Sequence, residues 1–180
     1  MDAMLTVIVP TENDEEALAH MLPPLVAHAV SGIVSQLIVF DQGSTDRTAK
    51  VADVAGADYF SAKSQIIDVL AKARAPWILV LPPGAVLEGD WESIVVEHVN
   101  SARGARTLAC FRVLPDRSRT LWKRLLFPRS RPAGALSSGL LISTPNARQS
   151  LKGRSTAKLE DVANGRSIMK LRANLRLRWA

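Results

Sequence analysis

Gln36-Leu37-Ile38-Val39-Phe40-Asp41-Gln42-Gly43-Ser44-Thr45-Asp46-Arg47-Thr48 is the stretch whose reading decides the fold. Leu37 to Phe40 are consecutive apolar residues, two of them β-branched and one aromatic. A half-exposed strand would alternate with polar residues, so this run reads as a strand covered on both faces. A carboxylate, Asp41, stands where the strand should stop. Gly43 permits a tight turn, Ser44 or Thr45 can cap a helix, and Thr48 to Ala55 is a short amphipathic run that Gly56 ends. The unit is strand, turn and helix, with an acid and a cluster of hydroxyls at the strand's carboxyl end. In open parallel sheets ligands bind along that edge, where strand ends, glycine turns and helix N-termini converge.

Working outward, Leu5 to Pro10 is a first strand, followed at once by Thr11-Glu12-Asn13-Asp14-Glu15-Glu16. Asn13 and Glu16 have capping-box spacing, which predicts a helix start there, and Pro23-Pro24 predicts a kink or restart within it. Thr11 and Asn13 fall beside Asp41 if the two strands are neighbours. Ala57 to Phe60 is a short third strand, Ser64 to Ala73 a helix, and Pro76 to Leu81 a fourth, continuously apolar strand ending in the Pro82 to Leu87 loop. Asp90-Trp91-Glu92 opens a further helix. Strands alternating with helices predict βαβ units on a parallel sheet, hence an α/β fold. Later elements are less regular: strands over Thr107 to Val113, Gly139 to Ser143 and Ile168 to Leu171, and a helix start at Lys158 to Ala163.

Composition bounds the function. The 180 residues, 47% hydrophobic, suit one domain over 1–180. Its apolar runs are far shorter than a bilayer span, and Asp2 stands where a signal peptide would be basic, so the expected compartment is cytoplasmic. Cys110 is the only cysteine, which excludes an intramolecular disulfide and a cysteine zinc site, and it reads as a small core residue. His20, His28 and His98 lack metal-ligand spacing, and no nucleic-acid motif occurs. The net charge of +6 conceals a division: residues 1–100 carry 5 Lys/Arg against 14 Asp/Glu, and residues 101–180 carry 18 against 3. Such asymmetry suggests that the second half meets something anionic, whether phosphate, lipid head groups, a nucleic acid or the acidic first half itself; intramolecular charge balance in an arginine-rich chain reads equally well.

The order of motifs resembles the family 2 glycosyltransferases. Thr6 to Asn13 is similar to their opening strand and Pro-Thr-x-Asn turn, and Leu37 to Thr48 to their Val-Asp-Asp-Gly-Ser-Thr-Asp-x-Thr segment. Ala73 to Leu81 matches the strand before their metal loop. The resemblance covers roughly residues 4–92. It implies a GT-A-like, Rossmann-type sandwich, a mostly parallel sheet with helices on both faces. Residues 1–100 would be the nucleotide-binding half and 101–180 the basic acceptor-side half. The implied activity is inverting transfer of a sugar from a UDP-, GDP- or dTDP-linked donor.

By that resemblance Pro10, Thr11, Glu12 and Asn13 line the base and ribose pocket, with Asp41, Gln42, Gly43 and Ser44 opposite. Asp41 would accept from the base, and Lys63 would contact phosphate. Pro83 and Gly84 sit where the family has an Asp-x-Asp that holds Mg or Mn, so a divalent cation is implied while its ligands are missing. Arg112, Arg129 or Arg131 replacing the metal, another carboxylate reaching in, or loss of the chemistry all fit. Asp161, with Glu160, resembles the family's general base, although two acids opening a helix also read as dipole partners. The basic segment 117–131, with Trp122 and Phe127, suits either contact with the inner membrane face and a lipid-linked acceptor or an ordinary amphipathic helix. A non-catalytic nucleotide-binding or scaffold domain is the alternative to the enzyme.

Overall fold

Eight strands join in one sheet, in the order β3-β2-β1-β4-β7-β6-β8-β5. A computed structural model describes residues 4–101, 107–114, 134–153 and 157–178. The segment 117–131, with Trp122, Arg129 and Arg131, and Trp179 lie outside the described residues. The strands are β1 (Leu5–Thr11), β2 (Val34–Asp41), β3 (Asp58–Phe60), β4 (Trp77–Val80), β5 (Ala85–Glu88), β6 (Leu108–Leu114), β7 (Leu140–Ser143) and β8 (Ile168–Leu177). Pairing is parallel from β3 through β4 and between β6 and β8; β7 and β5 run antiparallel to their neighbours. The sheet is mostly parallel, as the alternation of strands and helices predicts.

Side-chain alternation divides the core between the two faces. Leu5, Val7 and Val9 of β1 and Trp77 and Leu79 of β4 point to one face, where α1 (Glu15–Val30), α2 (Thr48–Val54) and α4 (Trp91–Asn100) pack. Ile8, Ile78 and Val80 point to the other, under α3 (Ile66–Lys72) and α5 (Thr144–Leu151). Covering on both faces explains why β1 and β4 are apolar at nearly every position. The amino edge is tied by a buried polar chain: the Thr6 hydroxyl donates to Gln36 Oε1 at 3.0 Å, and the Ala75 amide donates to the Thr6 hydroxyl at 3.2 Å.

Four local expectations are corrected. Asn13 does not start α1; Asp14 stands at its N-cap and Asn13 lies before it at φ +54. Pro23 and Pro24 do not interrupt α1, which runs through both. Val86 and Leu87 are not loop but part of edge strand β5, paired to β8. Lys158 to Ala163 forms only a 3-10 turn, Leu159–Val162. The strand expected over Ile168 to Leu171 extends to Leu177: Leu171, Ala173, Leu175 and Leu177 are buried in alternation, which carries the strand on through the intervening arginines.

Candidate active site

Parallel registry sets the site. Thr11 and Asp41 are paired across β1 and β2, so both chains leave the sheet at one level and their turns lie side by side. The two turns are then sewn together. The Gln42 amide donates to the Thr11 carbonyl at 2.9 Å. The Asn13 amide donates to Ser44 Oγ at 2.8 Å, while Asn13 Oδ1 accepts from the Thr45 amide at 2.8 Å. One residue on, the Glu15 amide donates to Asp46 at 3.1 Å, and the Glu15 carboxylate accepts from the Arg47 amide and pairs with its guanidinium at 2.9 Å. Asn13 reaches this geometry from the left-handed region, which Asn tolerates better than most residues because its short side chain bonds locally. The side chain expected to cap its own helix instead braces the neighbouring turn.

Asp41 is 3% exposed and fully engaged. Its Oδ1 accepts from the Gly43 and Ser44 amides at 3.0 and 2.9 Å and from the Ser44 hydroxyl at 2.7 Å. Its Oδ2 accepts from the Tyr59 hydroxyl on β3. Burial pushes this carboxyl upward, but the bonds from Tyr59, Ser44 and Gly43 outweigh it and hold the group below the usual carboxylate range. Tyr59 feels the converse: burial and the bond to Asp41 push its phenol up to about 12. Nothing in the residue pattern singles out Tyr59, since one aromatic in a three-residue strand reads as packing. The signal available was its place one position before the carboxyl end of a strand adjoining β2.

The other expected residues are distributed around this point. Pro10 and Thr11 are buried, and the Thr11 hydroxyl donates to Asp14 at 3.1 Å. Glu12, Gln42 and Gly43 are exposed at the rim. Lys63 is exposed on the loop after β3; its neighbour Ala62 has its Cβ 4.0 Å from where a Cβ on Gly43 would stand, so the lysine belongs to the same edge. Pro82, Pro83 and Gly84 are buried, because the end of β8 lies over them: the Arg178 amide donates to the Gly84 carbonyl at 2.8 Å. Arg112 is exposed on β6.

Glu160 and Asp161 lie in the 3-10 turn Leu159–Val162, which packs on α5 and on a second 3-10 turn, Gly134–Ser138. The latter leads into β7, whose first residue Leu140 pairs with Val80 at the carboxyl end of β4. Its carboxylate accepts from the Lys158 amide and from the Asn164 side chain, each at 2.9 Å, and Glu160 is exposed.

Two hollows adjoin these elements. One, of about 380 Å³, is lined by Asn13, Asp14, Glu15, Glu16, Asp46 and Arg47 and is predominantly acidic. A larger one, of about 580 Å³, lies between α1 and α2 and is lined mainly by apolar side chains such as Leu22, Val26, Val51 and Val54, with Glu15, Arg47 and Lys50 as its charged members. Among the described residues no group of three or more His, Cys, Asp or Glu could hold a metal, and none of the helices is long and apolar enough to cross a membrane.

No family model matches the chain. A curated relative, 4,4'-diaponeurosporenoate glycosyltransferase of Staphylococcus aureus (strain bovine RF122 / ET3-1), is 34% identical over 73 residues, which span 41% of this chain and 17% of that protein. Among solved structures, glucosyl-3-phosphoglycerate synthase from Mycobacterium tuberculosis, in complex with Mn2+, UDP and glucosyl-3-phosphoglycerate, superposes with a TM-score of 0.63 at 20% identity. That match covers 98% of this chain and 71% of the other. Mannosyl-3-phosphoglycerate synthase from Rubrobacter xylanophilus gives 0.62 at 12% identity, over 99% and 67%. S. aureus TarS 1-349 in complex with UDP-GlcNAc gives 0.61 at 13%, over 98% and 59%.

Proposed function

We propose that this chain, whose fold is the GT-A glycosyltransferase fold, binds a nucleotide sugar at the joined ends of β1 and β2 and transfers the sugar with inversion. The observation that carries the reading is the pairing of Thr11 with Asp41, which brings two hydroxyl- and amide-rich turns together at the carboxyl edge of a parallel sheet. The solved relatives that hold UDP or UDP-GlcNAc supply the donor class. Because Asp41 is already saturated by its own turn and Tyr59, its part is to fix the turn. The exposed Glu12, Gln42 and Gly43 are left to meet base and ribose. Lys63 would contact phosphate.

In the transfer step an acceptor hydroxyl oxygen forms a bond to the anomeric carbon as the bond from that carbon to the donor diphosphate breaks. The acceptor proton passes to a carboxylate, and the electron pair leaves with the diphosphate. Asp161 is the proposed base, with Glu160 beside it. An Asp161→Asn variant is expected to lose about 100-fold or more in kcat with the donor KM held. Undiminished transfer would remove Asp161 from the role. The acceptor class is open to a lipid-linked molecule, the curated relative being a 4,4'-diaponeurosporenoate glycosyltransferase, and membrane contact through 117–131 belongs to this proposal. Sedimentation with anionic vesicles, lost on Trp122→Ala and Lys123→Ala, tests it.

A second reading has its own support: both oxygens of Asp161 already accept hydrogen bonds within its turn, as an acid serving only to cap would. A domain that binds a nucleotide sugar without transferring it would show donor binding and neither transfer nor hydrolysis.

A further inference from the structure

The turn that closes β4 does not fit a divalent cation, and the reason lies in the packing as well as in the residue types. Pro82 and Pro83 offer no acid and no N–H, and Gly84 adopts φ +74. A Cβ built on Gly84 would stand 2.1 Å from the Arg178 carbonyl oxygen and 3.6 Å from the Ala17 Cβ. No side chain, an acid's included, can be placed at position 84 while β8 keeps its seat. The acid next along, Glu88, is spent: the Arg176 guanidinium donates to it at 2.6 Å, and this bond with the nearby charge of Arg178 holds its carboxyl below the usual range.

What closes the metal position brings cations with it. Along β8 the residues facing away from the core are Lys170, Arg172, Asn174 and Arg176, and Arg178 follows one residue past its end. Arg178 is exposed, and its backbone is fastened to Gly84 within reach of the first turn of α1, two residues from Glu15 of the joined turns. On the other flank Lys63 stands exposed beside Gly43. The hollow beside the joined turns, lined by Asp14, Glu15, Glu16 and Asp46 with Arg47 as its one cation, is net acidic and disfavours a dianion.

We propose that Arg178 takes the place of the divalent cation: its guanidinium, together with Lys63, neutralises the donor's diphosphate, so that a nucleoside diphosphate binds without metal. A guanidinium suits the task, since its planar fork pairs with two phosphate oxygens and stays charged at any working pH. The inference rests on the nucleotide-sugar reading above.

Calorimetric titration of the full chain with UDP, GDP and inorganic pyrophosphate, in EDTA and again in MnCl2, tests it. The expected result is a Kd for UDP or GDP that differs less than about twofold between the two conditions. Arg178→Ala should weaken it about tenfold in both, as loss of one charge-assisted bond implies, and Arg178→Lys should recover part of the loss. Binding seen only with Mn2+, or unchanged in Arg178→Ala, overturns the inference and leaves the nucleotide reading standing. No binding of any of the three probes in either condition overturns both.

Discussion

Tyr59 is the only tyrosine in the chain, so its ionisation can be followed by absorbance without interference from another phenol. Its midpoint is expected at about 12 instead of 10, and Asp41→Asn should return it toward 10, since the bond partner would no longer carry charge. The linkage signs follow. Asp41 is held low in the fold, so its contribution is present above the unfolded value near 3.8 and is lost as pH falls through the folded one. Tyr59 is raised, so its contribution is present below 10 and is lost as pH rises through about 12. His98 adds a second acid-sensitive point: it is buried against Trp77, burial holds its pKa below 6.5, and its Nε2 has no partner among the described residues. Stability should therefore decline as pH falls below 6.5, and His98→Phe should flatten that decline in denaturant titrations across pH.

At the scale of elements, two contacts hold the site's surroundings in place. Arg148 of α5 donates to the carbonyls of Leu70, Ala71 and Ala73 at 3.1, 3.2 and 2.9 Å, satisfying the open end of α3. Because the side chain is largely exposed, Arg148→Ala should cost only about 1 kcal/mol, read as a lower urea midpoint at unchanged slope. Gly84→Ala should cost on the order of 2 kcal/mol or more, since the added methyl meets backbone and the φ of +74 disfavours any side chain. The elements differ in how far sequence revealed them. β1, β2 and β4 were legible because strands covered on both faces must be continuously apolar. β5 and the second half of β8 were not. Pro82-Pro83-Gly84 drew attention as a turn and hid the strand that starts one residue later, and the arginines between Leu171, Ala173, Leu175 and Leu177 masked a strict two-residue period. The capping-box spacing at Asn13 and Glu16 misled because a contact 32 residues away, Asn13 with Thr45, outcompeted the local one.

For the molecule as a whole, the division of charge that the sequence displays acquires a spatial meaning. The acidic half supplies the joined turns and their acidic hollow, and the basic half returns through β8 to lay Arg178 on the end of β4. The pairing of Thr11 with Asp41 could be read from two motifs following two apolar runs. The saturation of Asp41 could not, because it depends on Tyr59 arriving from a third strand. The central claim is that a nucleotide sugar sits where these turns meet. Titration of UDP-glucose into 15N-labelled protein locates it directly: the amides of Thr11 to Asn13 and Gln42 to Thr45 are expected to shift in a saturable manner, with those of Leu22, Val26 and Val54 in the apolar groove unmoved. Shifts confined to that groove, or none with UDP-, GDP- or dTDP-sugars, would contradict the account.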